Sequence, residues 1–207
     1  MLDVGSGTGR PTAAALAGAG HRVLGVDVSP VMVEIARGQV PEAGFRCADV
    51  RGMPLEDGSY DAVCVYFALL QMTRAEQTEL VRRLARALRP GGLLVLATVP
   101  LDVEEFDGVF MGQDVRVTSF ATEDVVALVR EAGLTVEWQR NVMFTPAHPD
   151  ARPEPQLFLH CGRGTRRRSA DPAGWRVSPS CVCARWAPPG AIPFPTRSCG
   201  AVPYGSG

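Results

Sequence analysis

The chain has 207 residues, 46% of them apolar, which is enough for one domain with a substantial core and a tail. Its net charge of −1 gives no global pull toward nucleic acid or an anionic membrane. No segment reaches the roughly 18 consecutive apolar residues needed to span a bilayer, and Asp3 with its neighbouring glycines does not read as a secretory signal. In chain order, "MLDV" reads as the end of a strand. "RPTAAALAGAG" reads as a helix with Pro11 near its first turn and Gly18 and Gly20 at its end. "RVLGVDV" is a nearly continuous apolar run, as expected of a strand covered on both faces. "SPVMVEIARG" starts a helix with Ser29 as N-cap and Pro30 in the first helical position. "GFRCADV" and "YDAVCVYFALL" follow as strands, the second reaching about Phe67. "RAEQTELVRRLARALRPGG" is an amphipathic helix with Leu80, Leu84 and Leu88 on one face, expected to close at Pro90-Gly91-Gly92. Then come the strand "LLVLATV", the helix "TEDVVALVREAG" with Thr122 as N-cap and Gly133 as stop, and two strands, "LTVEWQRNV" and "QLFLHCG". The loop between those two is short enough for an antiparallel pair. Alternating β and α units predict an α/β fold, a doubly wound, mostly parallel sheet. In such sheets a ligand binds beyond the C-terminal strand ends, where the strand order reverses.

Charge divides the chain. Residues 1–162 carry 14 Arg against 21 acidic residues, whereas residues 163–207 carry 7 Arg against the single Asp171. The second segment is rich in Pro, Gly and Ser and shows neither a helical nor a strand period, so it is expected to be a disordered or irregular basic tail. A nucleic-acid-binding arm is not expected, because the Arg residues are scattered after "RRR" and no other basic surface supports them. All 21 basic residues are Arg. The six cysteines, at 47, 64, 161, 181, 183 and 199, form no CxxC pair, so neither a zinc site nor a redox motif is indicated. Cys47, Cys64 and Cys161 fall in strand-like runs, where free thiols pack as small apolar groups. A reduced, cytoplasmic setting is the expectation.

Gly5, Gly7 and Gly9 occupy the turn from the first strand to the first helix. Glycine there permits positive φ and close approach of a ligand to the backbone, with amides at the following helix start as candidate donors. The dinucleotide fingerprint GxGxxG fails, because Arg10 stands where its third glycine belongs. A phosphate-binding P-loop fails because the chain has no Lys. Asp27, at the end of the second strand, has the chemistry to accept two hydrogen bonds from a ribose diol; the alternative is a turn acid before a helix cap. Asp49, after the third strand, suits an exocyclic amine of adenine, with the Val50 amide donating to a ring nitrogen, or else a turn role. No base stands out. His148, in "FTPAHPD", reads as a surface loop residue, and His160, in the last strand, as a structural one. The stretches "YFALLQM" and "FDGVFMGQD" are candidates to line an acceptor pocket, with core packing as the alternative.

"LDVGSGTGR", "VLGVDVSP", "CADVRGMPLEDGSYDAV" and "LARALRPGGLLVLATV" stand in the order and approximate spacing of class I S-adenosylmethionine-dependent methyltransferases. The chain resembles their small-molecule branch of type 11 or type 25 domains over about residues 1–162. The resemblance implies a Rossmann-like sheet in order 3-2-1-4-5-7-6 with the last strand antiparallel, and S-adenosyl-L-methionine as cofactor. It implies a cofactor-binding set of Asp3, Gly5, Ser6, Gly7, Asp27, Val28, Asp49, Val50 and Tyr66. Gly5 and Gly7 would line the methionine end, Asp27 the ribose and Val28 a face of adenine, with Asp49 and Val50 on the adenine edge and Tyr66 near the transferable methyl. It also implies a small-molecule methyl acceptor. Members usually carry a helix and the start of the first strand ahead of the glycine motif, so the chain is expected to be truncated at its N-terminus. An inactive cofactor-binding or scaffold domain is the alternative, and a nicotinamide-dependent dehydrogenase a weaker one.

Overall fold

The computed structural model describes residues 1–110, 113–145 and 153–165. The tail expected over 163–207 falls almost wholly outside them. The central strand, β1 (Leu2–Val4), is buried along its whole length and lies parallel between β2 (Leu24–Asp27) and β4 (Tyr60–Tyr66). β3 (Gly44–Cys47) forms one edge beside β2. On the other side, β5 (Leu88–Thr98) continues the parallel set, and β9 (Glu154–Arg163) runs antiparallel to both β5 and the edge strand β8 (Leu134–Phe144). The seven-stranded order β3-β2-β1-β4-β5-β9-β8 is the one the motifs imply.

Two cores sandwich the sheet, and strand alternation assigns side chains to them. On one face Leu2 and Val4 join Leu80, Val81 and Leu84 of α3 (Arg74–Ala87) and Val125 and Val129 of α4 (Thr122–Glu131). On the other, Cys64 and Val95 meet Ala13 and Leu16 of α1 (Thr12–Gly18) and Val33 and Ala36 of α2 (Pro30–Gln39). Asp3, between Leu2 and Val4, therefore points to the second face, in register with Gly25 and Cys64.

Local chemistry sets the helix ends. Ser29 caps α2 by accepting from the Met32 amide, with Pro30 next to it. Thr73 and Glu76 form a reciprocal capping box at the start of α3. Pro11 stands at the N-cap of α1, next to its first turn as expected, and the helix is seven residues long. Two expectations are corrected. The residue ahead of α4 is Ala121, extended and without a side-chain cap, while Thr122 is already helical; Glu123 and Asp124 in the first turn complement the positive end of the dipole instead. And α3 ends at Ala87, so Leu88 and Pro90-Gly91-Gly92 enter β5, where the pairing with β4 shifts register. Arg89 precedes a proline, which disfavours helical backbone there.

A two-stranded sheet, β6 (Val103–Phe110) with β7 (Gln113–Ser119), stands apart from the main one. It occupies most of the "FDGVFMGQD" stretch expected to line a pocket. Its base is tied to the body: the Thr118 amide donates to the Leu70 carbonyl at 2.8 Å, the Gln77 side chain to the Thr118 carbonyl at 2.9 Å, and Arg74 to Asp102 at 2.7 Å. Among the described residues no helix is long and apolar enough to cross a membrane.

Candidate functional site

The C-terminal ends of β1 and β2 are stitched together by the glycine turn. The amides of Gly5 and Ser6 both donate to the Val26 carbonyl, at 2.8 and 3.1 Å, and the Gly9 amide donates to the Ser6 carbonyl at 2.9 Å. Gly5 has φ +67°, and a Cβ there would meet Ala68 Cβ at 2.4 Å, so the first glycine is dictated by the chain that follows β4. Gly7 has φ +51° but nothing within 4 Å of an added Cβ. Its bareness leaves open space over the turn, as a closely approaching ligand requires. The amides of Gly5, Ser6, Gly7 and Gly9 themselves are all engaged within the protein.

Gly7 donates to Asp27. The two carboxylate oxygens divide their work, Oδ2 accepting from the Gly7 amide at 2.8 Å and Oδ1 from the Ser29 amide at 2.9 Å. Each oxygen can accept about two hydrogen bonds, so each keeps capacity for one more. That leaves a rigid carboxylate with two acceptor positions side by side, the pattern a vicinal diol needs. Val28, one residue further, is 68% exposed and offers an apolar surface next to them.

Beneath the turn lie two buried polar atoms without partners, Asp3 Oδ2 and Ser6 Oγ. Asp3 is 2% exposed. Burial, and then the charge of Asp27, raise its carboxyl pKa to about 7. Burial, followed by the Asp3 charge, likewise pushes the Cys64 thiol up to about 12. A cationic or hydrogen-bonding group reaching this point would meet an unsatisfied acceptor. The orphaned atoms, the open turn at Gly7 and the spare acceptors of Asp27 all fit a nucleoside cofactor with a charged end.

Asp49 behaves differently. Its Oδ1 accepts from the Arg51 amide at 2.9 Å, and the Arg51 guanidinium contacts both oxygens, Nε at 3.0 Å to each and Nη2 at 2.7 Å to Oδ2. The Arg51 side chain holds the Asp49 pKa below the usual carboxylate range. Val50 is buried in the core, so it can offer a ligand only its main chain. Tyr66 ends β4, half-buried and paired in register with Ala97. Phe67 follows with φ +55°, its amide on the Ala97 carbonyl at 2.8 Å and its ring edge-on to Phe158 at 6.1 Å. The structure thus gathers Asp3, Gly5, Ser6, Gly7, Asp27 and Val28 around one turn, with Asp49 and Val50 after β3 and Tyr66 at the end of β4. Arg51 escaped the sequence reading, although its place two residues after Asp49 was the signal.

The remaining candidates lie elsewhere. His160 sits mid-strand on β9, buried, paired with Val95 and with its ring 4.8 Å from that of Trp138 at a tilt of 42°, and burial lowers its pKa. His148 lies outside the described residues. Cys64 and Cys161 are buried as expected, but Cys47 is exposed at the end of edge strand β3, its thiol 3.6 Å from the Val28 carbonyl.

An open parallel sheet with a glycine turn and a strand-end carboxylate defines a nucleoside-binding Rossmann-like domain. Comparison with known proteins narrows this. The family described as "Methyltransferase domain", type 11, matches residues 2–96. The O-methyltransferase cnsE of Penicillium expansum is 28% identical over 167 residues, covering 76% of this chain and 58% of that protein. A demethylmenaquinone methyltransferase of Clavibacter sepedonicus is 35% identical over 99 residues, covering 46% of this chain and 39% of that protein. The match thus spans less than two thirds of either relative. The crystal structure of an S-adenosylmethionine-dependent methyltransferase from Methanosarcina mazei superposes with a TM-score of 0.70 over 80% of this chain and 92% of that one; at 16% identity it speaks for the fold alone. The chain carries a methyltransferase domain of the class I S-adenosylmethionine-dependent kind, and S-adenosylmethionine is its expected cofactor.

Proposed function

We propose that residues 1–162 bind S-adenosylmethionine and transfer its methyl group to a small-molecule acceptor, with residues 163–207 as an appended basic segment. The observation that carries this reading is Asp27, fixed by the Gly7 and Ser29 amides with one acceptor position left on each oxygen. When bound, the cofactor supplies a methyl group made electrophilic by its sulfonium. The chain's own residues hold and orient. Asp27 takes the ribose hydroxyls, Val28 covers a face of the base, and Asp49 and the Val50 main chain address its edge. The turn at Gly5, Ser6 and Gly7 admits the methionine end, and Tyr66 borders it. Asp3, buried below, offers its unpartnered Oδ2 as an acceptor toward that charged end. Alignment of the acceptor and exclusion of water contribute several kcal/mol to such a transfer, so no dedicated base is required unless the acceptor must lose a proton early. The small-molecule acceptor is supported by the demethylmenaquinone relative.

The test is calorimetric titration of S-adenosylmethionine and S-adenosylhomocysteine into the 207-residue chain and into Asp27→Ala. Saturable binding that the variant loses supports the reading; a folded wild-type chain that binds neither ligand overturns it. Binding without transfer to any acceptor would instead favour a cofactor-binding scaffold.

A further inference from the structure

Asp49 is the one member of the proposed cofactor set whose carboxylate is already filled. A carboxylate has about four lone-pair positions. Three donors of a single residue, the Arg51 amide, Nε and Nη2, make four contacts to it at 2.7 to 3.0 Å. Arg51 is also held from behind. Its Nη1 donates to Glu76 Oε1 at 2.6 Å, and the other Glu76 oxygen accepts from the Thr73 amide and hydroxyl in the capping box of α3. Its main chain is fixed as well, because Arg83 on α3 donates to the carbonyls of Val50, Arg51 and Met53. The guanidinium is therefore presented to Asp49 by a loop and a helix that are themselves anchored. The pair is half-exposed, at 42% and 41%, so water competes with it and a ligand donor can share it.

We infer that Arg51 is a specificity-determining residue: by occupying the Asp49 carboxylate it weakens this chain's selection for the exocyclic amine of the cofactor's base. This rests on the proposal that Asp49 faces the base edge. A neutral N–H gains most from a carboxylate whose charge and lone pairs are free, and least from one neutralised by a bidentate guanidinium. The wild-type chain accordingly tolerates loss of the amine, and removing Arg51 creates discrimination.

The experiment compares dissociation constants of S-adenosylhomocysteine and of its analogue lacking the 6-amino group, which keeps the ring-nitrogen acceptor. Both are titrated into the wild-type chain, Arg51→Ala, Arg51→Gln and the double variant Arg51→Ala/Asp49→Ala, with folding checked by circular dichroism. The expected wild-type ratio is small. It rises about tenfold in either single variant, the scale of one hydrogen bond to a charged acceptor, and falls back in the double variant. A ratio that is already large in wild type and unmoved by loss of Arg51 overturns the inference, as does a rise that persists without Asp49. Failure of the wild-type chain to bind S-adenosylhomocysteine at all is a different result, overturning the cofactor reading beneath it.

Discussion

Replacing Asp3 with Asn should make the fold more stable at pH 8 and less dependent on pH. Asp3 is 2% exposed, in register with Gly25 and Cys64, and its Oδ2 has no partner. Ionising it places an uncompensated charge next to Asp27, which is why its pKa stands at about 7 against an ordinary 3.8. The protonated form is the one the fold prefers. The unfolded chain loses its proton near pH 4 and the folded chain near pH 7, so stability is full below pH 4, falls as pH rises between those values, and is flat above. A shift of about three units at about 1.4 kcal/mol each gives an upper bound of about 4 kcal/mol lost by pH 8. Asn removes that loss but brings an amide donor that must find a partner, at a cost of about 1–3 kcal/mol. The net expectation is a gain of about 1–3 kcal/mol at pH 8 and a neutral or unfavourable effect below pH 5. Urea midpoints of both proteins from pH 4.5 to 8.5 provide the measurement. His160 acts with the opposite sign: its pKa is lowered by burial, so its stabilisation is lost as pH falls. It contributes equally to both proteins and cancels in the difference. Asp49, Glu76 and Asp107 have lowered pKa values and act at more acid pH. Parallel stability curves for wild type and Asp3→Asn would refute the argument, and so would a difference that grows toward low pH in favour of the variant.

Asp27→Ala should weaken S-adenosylhomocysteine at least about 100-fold by calorimetry, since it removes the two acceptors proposed for the ribose and frees the Gly7 and Ser29 amides together. Gly5→Ala and Gly7→Ala should separate packing from access. The first puts a methyl 2.4 Å from Ala68 Cβ and should lower the melting temperature sharply; the second meets open space, should cost only about 1 kcal/mol of backbone strain, and should still impair cofactor binding. Leu84→Ala, at a fully buried position on α3, should destabilise the domain by about 2–5 kcal/mol in urea unfolding. Arg51→Ala should leave stability nearly unchanged, since its ion pairs are half-exposed, while altering the ligand ratio described above.

What could be read from the chain follows the range of the forces involved. β1, β2, β4 and β5 announce themselves because burial on both faces demands continuous apolar runs, and α2 because Ser29-Pro30 is a local start signal. Asp27 was legible for a similar reason: a strand end fixes where its carboxylate sits, and its partners Gly7 and Ser29 belong to turns that are themselves legible. The β6–β7 hairpin was not, because only short, polar-interrupted runs flank its turn, and much of its anchoring to the body runs through Gln77, Arg74 and Leu70, up to 48 residues away in sequence. Nor was the state of Asp49. Its carboxylate is proposed to face adenine, but whether that carboxylate is free depends on Arg51, and Arg51 is in turn held by Glu76, 25 residues away across the start of α3. Motifs fix which groups reach a site. The occupancy of those groups is set by side chains drawn from other elements, and in this domain that difference falls on a single guanidinium.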